Sequence, residues 1–262
     1  MGTRNIPDFQ AEAFKAQLLL AMDELFSPDD PLAPQAEQRE ALADFLTMVA
    51  DKNRYLNLTA VTEAKEMVRL HLIDSLSLLP YLDRELERCH AQGRRCRVLD
   101  LGTGAGFPGI PLKIMRPEIE ICLADALEKR ILFLQTLEEK AGPESGVELL
   151  HGRGEEMGRL PQYRERFDFV TARAVAELRI LAELTLPLTK EGGLFCAMKA
   201  SKGKRELEDA ERALSLLGGT LEAMPEFELP GGETRMLLLI RKNKATAKIY
   251  PRPFSRIRKQ PL

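Results

Sequence analysis

The stretch Val98-Leu99-Asp100-Leu101, running into Gly102-Thr103-Gly104-Ala105-Gly106-Phe107-Pro108-Gly109, limits the possible folds more than any other part of the chain. A short apolar run carrying one acid enters a turn studded with glycine. That is how a buried parallel strand ends when the loop after it must wrap a nucleotide-like ligand. Glycine has no Cβ, so the backbone can take left-handed angles and come within contact distance of what it wraps.

The turn fits two cofactor classes. Gly104-Ala-Gly106-Phe-Pro-Gly109 satisfies the dinucleotide pattern G-x-G-x-x-G, a weak signal by itself. Asp100-Leu-Gly102-Thr-Gly104-Ala-Gly106 satisfies the acid-x-G-x-G-x-G pattern of S-adenosylmethionine (AdoMet) enzymes. The acid favours the second class. A carboxylate at the strand tip, facing the ligand, suits the ammonium and sulfonium of AdoMet and repels a pyrophosphate, which wants bare N–H groups and a helix N-terminus. An NAD-dependent oxidoreductase is the alternative.

At 262 residues the chain can build a substantial core, and its formal net charge of −2 means that a polyanionic partner must meet a local basic patch. No window holds the roughly 18 uninterrupted apolar residues of a membrane span, and no N-terminal apolar run has signal length. A cytoplasmic protein, acting as a monomer away from membranes, is expected. Cys89, Cys96, Cys122 and Cys196 never form C-x-x-C. Cys122 and Cys196 lie in apolar runs and read as core residues. Cys89, His90 and Cys96 read as incidental groups in a polar linker, so no metal is expected.

Residues 1–93 read as a helical N-terminal extension or cap. Phe14, Leu18, Leu19, Met22 and Leu25 recur at helical spacing, Pro28, Pro31 and Pro34 interrupt, and a second helix carries Ala41, Phe45, Leu46, Met48 and Val49 on one face. A third opens near Thr62. Residues 94–243 read as an AdoMet-binding domain. Apolar runs at 97–101, 119–124, 147–150, 167–172, 193–198, 221–229 and 235–241 alternate with helical segments at 110–115, 126–140, around 155, 177–188 and 201–217. Strands alternating with helices imply a parallel sheet covered on both faces. Pro230-Gly231-Gly232 joins the last two strands as an antiparallel hairpin. The class is α/β, with the layout of the class I AdoMet methyltransferase fold. Residues 244–262 form a basic tail whose prolines, Pro251, Pro253 and Pro261, argue against a helix.

Candidate ligand contacts follow the strand tips. Asp125 ends the second strand, 21 residues after Gly104, where a carboxylate can accept from ribose hydroxyls or cap the next helix. Arg153-Gly154-Glu155 follows the third strand, where Gly154 lets the backbone approach an adenine edge and Glu155 accepts from its amine. Arg173 ends the fourth strand and can bind a carboxylate, a phosphate or a guanine edge, a reading favoured over a structural ion pair because the preceding run is apolar. Lys199 ends the fifth. His71, Asp74 and Ser75 share a helix face that caps the crevice or meets substrate; hydrolase chemistry is disfavoured because no nucleophile elbow accompanies them.

These residues together resemble the bacterial small-subunit ribosomal RNA guanine-N7 methyltransferases, also called glucose-inhibited division protein B. The resemblance rests on Asn57-Leu-Thr59, the Arg69/His71/Asp74-Ser75 cluster, Gly102-Thr-Gly-Ala-Gly-Phe-Pro-Gly-Ile-Pro-Leu112, Lys129-Arg130, Arg173-Ala174 and Lys199, in that order from about Asn53 onward. The first fifty or so residues carry little of the pattern. The tail keeps Tyr250-Pro-Arg and Lys259-Gln-Pro-Leu262, but Ser255 and Ile257 stand where Gly and Pro are expected.

The resemblance implies AdoMet contacts on Gly102, Phe107, Gly154, Glu155 and Arg173, beside the motif residues Asp100, Gly104 and Asp125. It implies methyl transfer to N7 of a guanine in small-subunit ribosomal RNA, within a ribosomal particle. Arg173, Lys199 and His71 are candidates for positioning, and none is assigned as a catalytic acid or base. Arg153, Lys199, Arg252, Arg256, Arg258 and Lys259 are candidates for holding RNA phosphates. Stacking on the target base falls to Phe107, Tyr55 or Tyr250. A non-catalytic RNA-binding assembly factor on the same fold is a further alternative.

Overall fold

The computed structural model describes residues 9–27, 29–141, 145–201 and 203–262; Pro28, one of the expected helix breakers, lies outside them. Ala11–Leu25 (α1) and Ala36–Leu56 (α2) are the first two helices, and α1 buries Leu18, Ala21 and Met22 on one stripe. The third is a composite: Ala64–Met67 (α3), a π-helical segment Val68–Ile73, and Asp74–Leu76 (α4). Leu79–Ala91 (α5) follows, with Pro80 in its first turn, where a missing N–H costs no helical bond.

Strands and helices then alternate. They run Arg97–Leu101 (β1), Gly109–Met115 (α6), Glu120–Asp125 (β2), Glu128–Ala141 (α7), Val147–His151 (β3), Gly154–Met157 (α8), Phe167–Arg173 (β4), Leu178–Thr185 (α9), Thr189–Lys199 (β5) and Gly203–Leu217 (α10). The chain finishes with Gly219–Ala223 (β6), Glu226–Glu228 (β7), Thr234–Lys242 (β8) and Phe254–Lys259 (α11). The sheet order is β3-β2-β1-β4-β5-β8-β6, with β7 also pairing β8. The first five strands are parallel and β8 is antiparallel to β5, β6 and β7. This is the expected α/β layout: a parallel sheet closed by an antiparallel hairpin. The expected single strand at 221–229 is two strands, because the chain breaks at Met224-Pro225 before pairing again.

Alternating residues of each strand face two different cores. Val98, Ile121, Phe169, Leu194 and Leu237 pack with α1, α2, α5, α6 and α7, while Leu99, Cys122, Val170, Phe195 and Leu238 pack with α9, α10 and Ile257. Residues 1–93 are therefore not set apart from the domain that follows. Leu18, Leu42, Leu46 and Leu72 belong to the same apolar cluster as the strand residues, so the N-terminal helices form one of the layers that cover the sheet.

The tail also departs from expectation. Pro253 stands just before α11, where its fixed φ of −55° leads into the first turn rather than interrupting it. Ile257 is fully buried. Lys242, itself buried, donates to the Leu186 carbonyl and to Thr246 Oγ1 at 2.5 and 2.6 Å. Arg252 clamps Glu183 on α9 through Nε at 2.8 Å and Nη2 at 2.7 Å, and its backbone N–H donates to the same carboxylate. The segment is a packed strap across α9. Replacing Arg252 by Ala leaves the fully buried Glu183 without its cation, so the midpoint of urea unfolding should fall, with a loss of about 3–5 kcal/mol.

Candidate active site

The glycine turn is built on one buried carboxylate. Asp100 Oδ2 accepts from Thr103 Oγ1 at 2.7 Å and from the Gly109 amide at 2.9 Å, tying the two ends of the turn to the strand. Between them Gly102, Gly104 and Gly106 take φ of 76°, 63° and 97°, which L side chains rarely adopt. At Gly109 a Cβ would lie 2.3 Å from Leu123 and 2.9 Å from Asp100, so only glycine lets α6 start this close to the strands. Asp100 is fully buried and does not face an open crevice as expected from the sequence. Its work is to hold the turn. Burial pushes its carboxyl up to about 6, against the pull of Thr103 and Gly109. Asp100 Oδ1 and, across the pairing with β4, Thr171 Oγ1 are buried with no hydrogen-bond partner among the described residues.

The other strand tips converge on the same end of the sheet. Asp125 Oδ2 accepts from the Gly104 amide at 2.9 Å and from Arg130, and Oδ1 accepts from the Leu127 amide. The same carboxylate therefore braces the glycine turn and the entry to α7. Gly154 opens α8, but the space a Cβ would need there is filled by Leu101 and Leu184 at 3.0 and 3.2 Å. Its glycine lets α8 pack closely on Leu101 and on Leu184 of α9, a reason the sequence did not reveal. Glu155 is buried and raised by desolvation, with its own backbone N–H as its hydrogen-bonding support.

Arg173 ends β4 in an ion pair, which the sequence reading ranked below a ligand contact. Its Nη1 donates to Asp74 Oδ2 at 3.0 Å and to the Leu70 carbonyl, and its guanidinium stands 5.3 Å from the Phe107 ring centre. Asp74 also receives Arg235 Nε at 3.2 Å. Phe107 is buried between Phe45 and His71, whose ring stacks on it at 4.7 Å, so it is not free to stack on an incoming base. His71 Nε2 lies 2.7 Å from Thr59 Oγ1, and Asn53 fixes that loop by accepting the Leu58 and Thr59 amides. Burial, with the Arg173 charge nearby, pushes His71 down to about 4, so it is neutral at physiological pH.

A cavity of about 650 Å3 opens beside this cluster, at the carboxyl ends of β4 and β5 and the start of β8. His71, Asp74, Arg173, Lys199, Glu206 and Arg235 supply most of its polar lining. Val175 links the cavity to the glycine turn, since it lines the one and lies against Gly102 in the other. The sequence placed His71, Asp74 and Arg173 near the crevice. It missed Arg235, because an arginine at the start of a hairpin strand carries no motif.

Several expected contacts are otherwise engaged. Lys199 Nζ is held by Glu206 and the Ala176 carbonyl, both at 2.7 Å, so it is not free for RNA phosphate. Arg252 is buried on Glu183 and is likewise withdrawn from the RNA-facing set. Arg153, Arg256, Arg258 and Lys259 are exposed, with Arg153 lying over the Phe254 ring. Cys89 and Cys96 are not linker thiols: both are buried, within 4.8 Å of an Asp168 oxygen. Burial pushes both thiols up, and Asp168 is committed to Arg94 and the Arg97 amide.

The depressed His71 group makes stability depend on pH. The unfolded chain binds a proton near 6.5 and the folded chain only near 4, so the unfolded state holds more protons between these values. Stability should fall as the pH drops through this window, by up to about 2 kcal/mol at pH 5. Asp100, raised to about 6, acts with the opposite sign. Urea midpoints of wild type and His71→Gln at pH 7 and pH 5 isolate the histidine: the variant should lose less on acidification.

The family model described as rRNA small subunit methyltransferase G matches residues 38–237. A ribosomal RNA small subunit methyltransferase G from Symbiobacterium thermophilum is 46% identical over 228 residues, covering 85% of this chain and 89% of the relative. The protein of the same name from Leuconostoc citreum is 39% identical over 226 residues, covering 86% and 92%. A solved 16S rRNA (adenine(1408)-N(1))-methyltransferase from Catenulisporales acidiphilia aligns with 65% of this chain and 93% of its own, at 17% identity and a TM-score of 0.46. The match to the family model spans the glycine turn, the bracing carboxylates and the residues lining the cavity, and on it the chain belongs to the rRNA small subunit methyltransferase G family.

Proposed function

We propose that this protein transfers a methyl group from AdoMet to N7 of a guanine in small-subunit ribosomal RNA. The carrying observation is a left-handed glycine turn, braced by Asp100 and Asp125, that adjoins a mixed polar and apolar cavity through Val175. Family membership favours this reading over an NAD-dependent oxidoreductase and over a non-catalytic assembly factor.

The residues fit AdoMet. Among the described residues, and apart from its chain neighbours, nothing stands nearer than 4.0 Å to where a Cβ of Gly104 would lie, so the turn leaves room for a close ligand. Asp100, with one oxygen unpartnered among the described residues, places a negative charge beneath the turn, which favours a cationic donor through space rather than by contact. Asp125 and Gly104 would meet the ribose end, Gly154 and Glu155 the adenine end, and Gly102, Phe107 and Arg173 the methionine end. When bound, AdoMet supplies an electrophilic methyl group on a sulfonium.

Guanine N7 carries an in-plane lone pair and no proton, so no general base is required. The protein's task is alignment and exclusion of water, which contributes about 7–11 kcal/mol in favourable cases. A neutral, half-buried His71 agrees with a role in shaping the site rather than in moving a proton. N7 lies on the major-groove edge, inaccessible in an RNA helix, so the target base sits in a loop or is splayed out. Arg153, Arg256, Arg258 and Lys259 would meet phosphates, and Tyr55, 60% exposed, is the stacking candidate left in solvent. No helix among the described residues is long and apolar enough to cross a membrane. The reading extends to a monomer working in the cytoplasm on RNA within a ribosomal particle.

The test is transfer of label from AdoMet to ribosomal RNA or particles from a strain lacking the gene. N7-methylguanine should appear in the small-subunit RNA; no label in guanine overturns the assignment. Joint replacement of Arg256, Arg258 and Lys259 by Ala should weaken RNA binding. It should also reduce the slope of log K against log salt by about 2, with AdoMet binding unchanged. An unchanged slope would move the RNA contact away from α11.

A further inference from the structure

The cavity beside the glycine turn has a chemistry of its own. Its ionic lining is balanced, with Arg173, Lys199 and Arg235 against Asp74, Glu177 and Glu206. A phosphate site would carry a surplus of cations. Leu70, Met198, Met236 and Leu237 give it apolar walls, and about 650 Å3 is the scale of a site for a small planar ligand. Val175 forms its boundary with Gly102, so an occupant lies next to whatever the glycine turn holds.

Two arginines of this lining are fixed on Asp74 and keep donors without a hydrogen bond among the described residues: Arg173, bonded only through Nη1 and assigned above to the methionine end, and Arg235. Arg235 Nε donates to Asp74 Oδ1 and Nη1 to the Thr234 carbonyl, each at 3.2 Å, and Nη2 has no hydrogen bond to the protein among the described residues. Asp74 is itself held from the other side by Arg173, so the carboxylate cannot swing away. The planar guanidinium is thereby set in orientation before any ligand arrives.

We infer that the target base enters this cavity and that Arg235 reads its O6 oxygen. The inference rests on the guanine-N7 reading and adds to it the residue that selects guanine. Beside N7, guanine presents an acceptor, O6, where adenine presents an amino donor. An oriented guanidinium N–H pairs with the first and opposes the second. N7 itself stays free, because the bond goes to its neighbour. Asp74 is a positioning residue here, acting through Arg235.

The experiment compares one RNA substrate with guanine, inosine or 2,6-diaminopurine at the target. Inosine keeps O6 and lacks the 2-amino group; diaminopurine keeps the 2-amino group and replaces O6 by an amine. Wild type should methylate guanine and inosine with similar kcat/KM and diaminopurine at least about tenfold more slowly. Arg235→Met should collapse the guanine-to-diaminopurine ratio toward one, Arg235→Lys should restore part of it, and calorimetry should show AdoMet binding intact in both. A purely structural arginine would lower all three rates together and leave the ratio alone. Equal use of guanine and diaminopurine by wild type, or a ratio unchanged in Arg235→Met, overturns the inference while the N7 reading stands. No transfer to guanine by wild type overturns both.

Discussion

A buried carboxylate under the glycine turn is the constraint from which the rest of the site follows. Asp100 has no exposure, yet it accepts two hydrogen bonds that join the strand end to both sides of the turn. Removing a charge from water is costly, and here only part of that cost is offset, since one oxygen has no partner among the described residues. The cost is borne because the turn needs an anchor at its base. Without it, three residues at positive φ would have no reason to hold one conformation. Asp125 repeats the device one strand over by accepting from Gly104. Two strand tips thus lock a loop that local propensity alone leaves free.

The second organising feature is the polar seam between the N-terminal helices and the sheet. Thr59 meets His71, His71 stacks on Phe107, Arg173 stands over Phe107, and Asp74 joins Arg173 to Arg235. This seam ties α4, β4, β8 and the glycine turn into one wall. The π-helical segment Val68–Ile73 carries His71, and such irregular turns concentrate at functional sites. The N-terminal helices therefore supply both apolar cover for the sheet and the polar side of the cavity.

At the other flank the C-terminal strap is fixed by the buried Arg252–Glu183 ion pair on α9 and by buried Lys242, which pairs with Glu165 ahead of β4 and donates to the Leu186 carbonyl. The strap fixes α11, so that Arg256, Arg258 and Lys259 are displayed from an ordered element rather than a loose tail. Charge that looked uniform along the sequence is divided by the fold. Part of it is internal bracing and part remains for an anionic partner.

The sequence by itself determined the sheet and its ligand end. Apolar runs separated by helical periodicity, and glycines bunched after Asp100, depend only on residues near one another in the chain. It also brought His71, Asp74 and Arg173 into consideration through their spacing and strand-tip positions. Which partner each charged group takes was decided by tertiary structure alone. Arg173 meets Asp74 across 99 residues, Arg235 meets it across 161, and Arg252 meets Glu183 across 69. Ion pairing depends on distance and burial after the chain has packed, and no local pattern records either. For the same reason Asp100 read as a ligand-facing charge until its burial was visible, and Arg235 read as nothing at all.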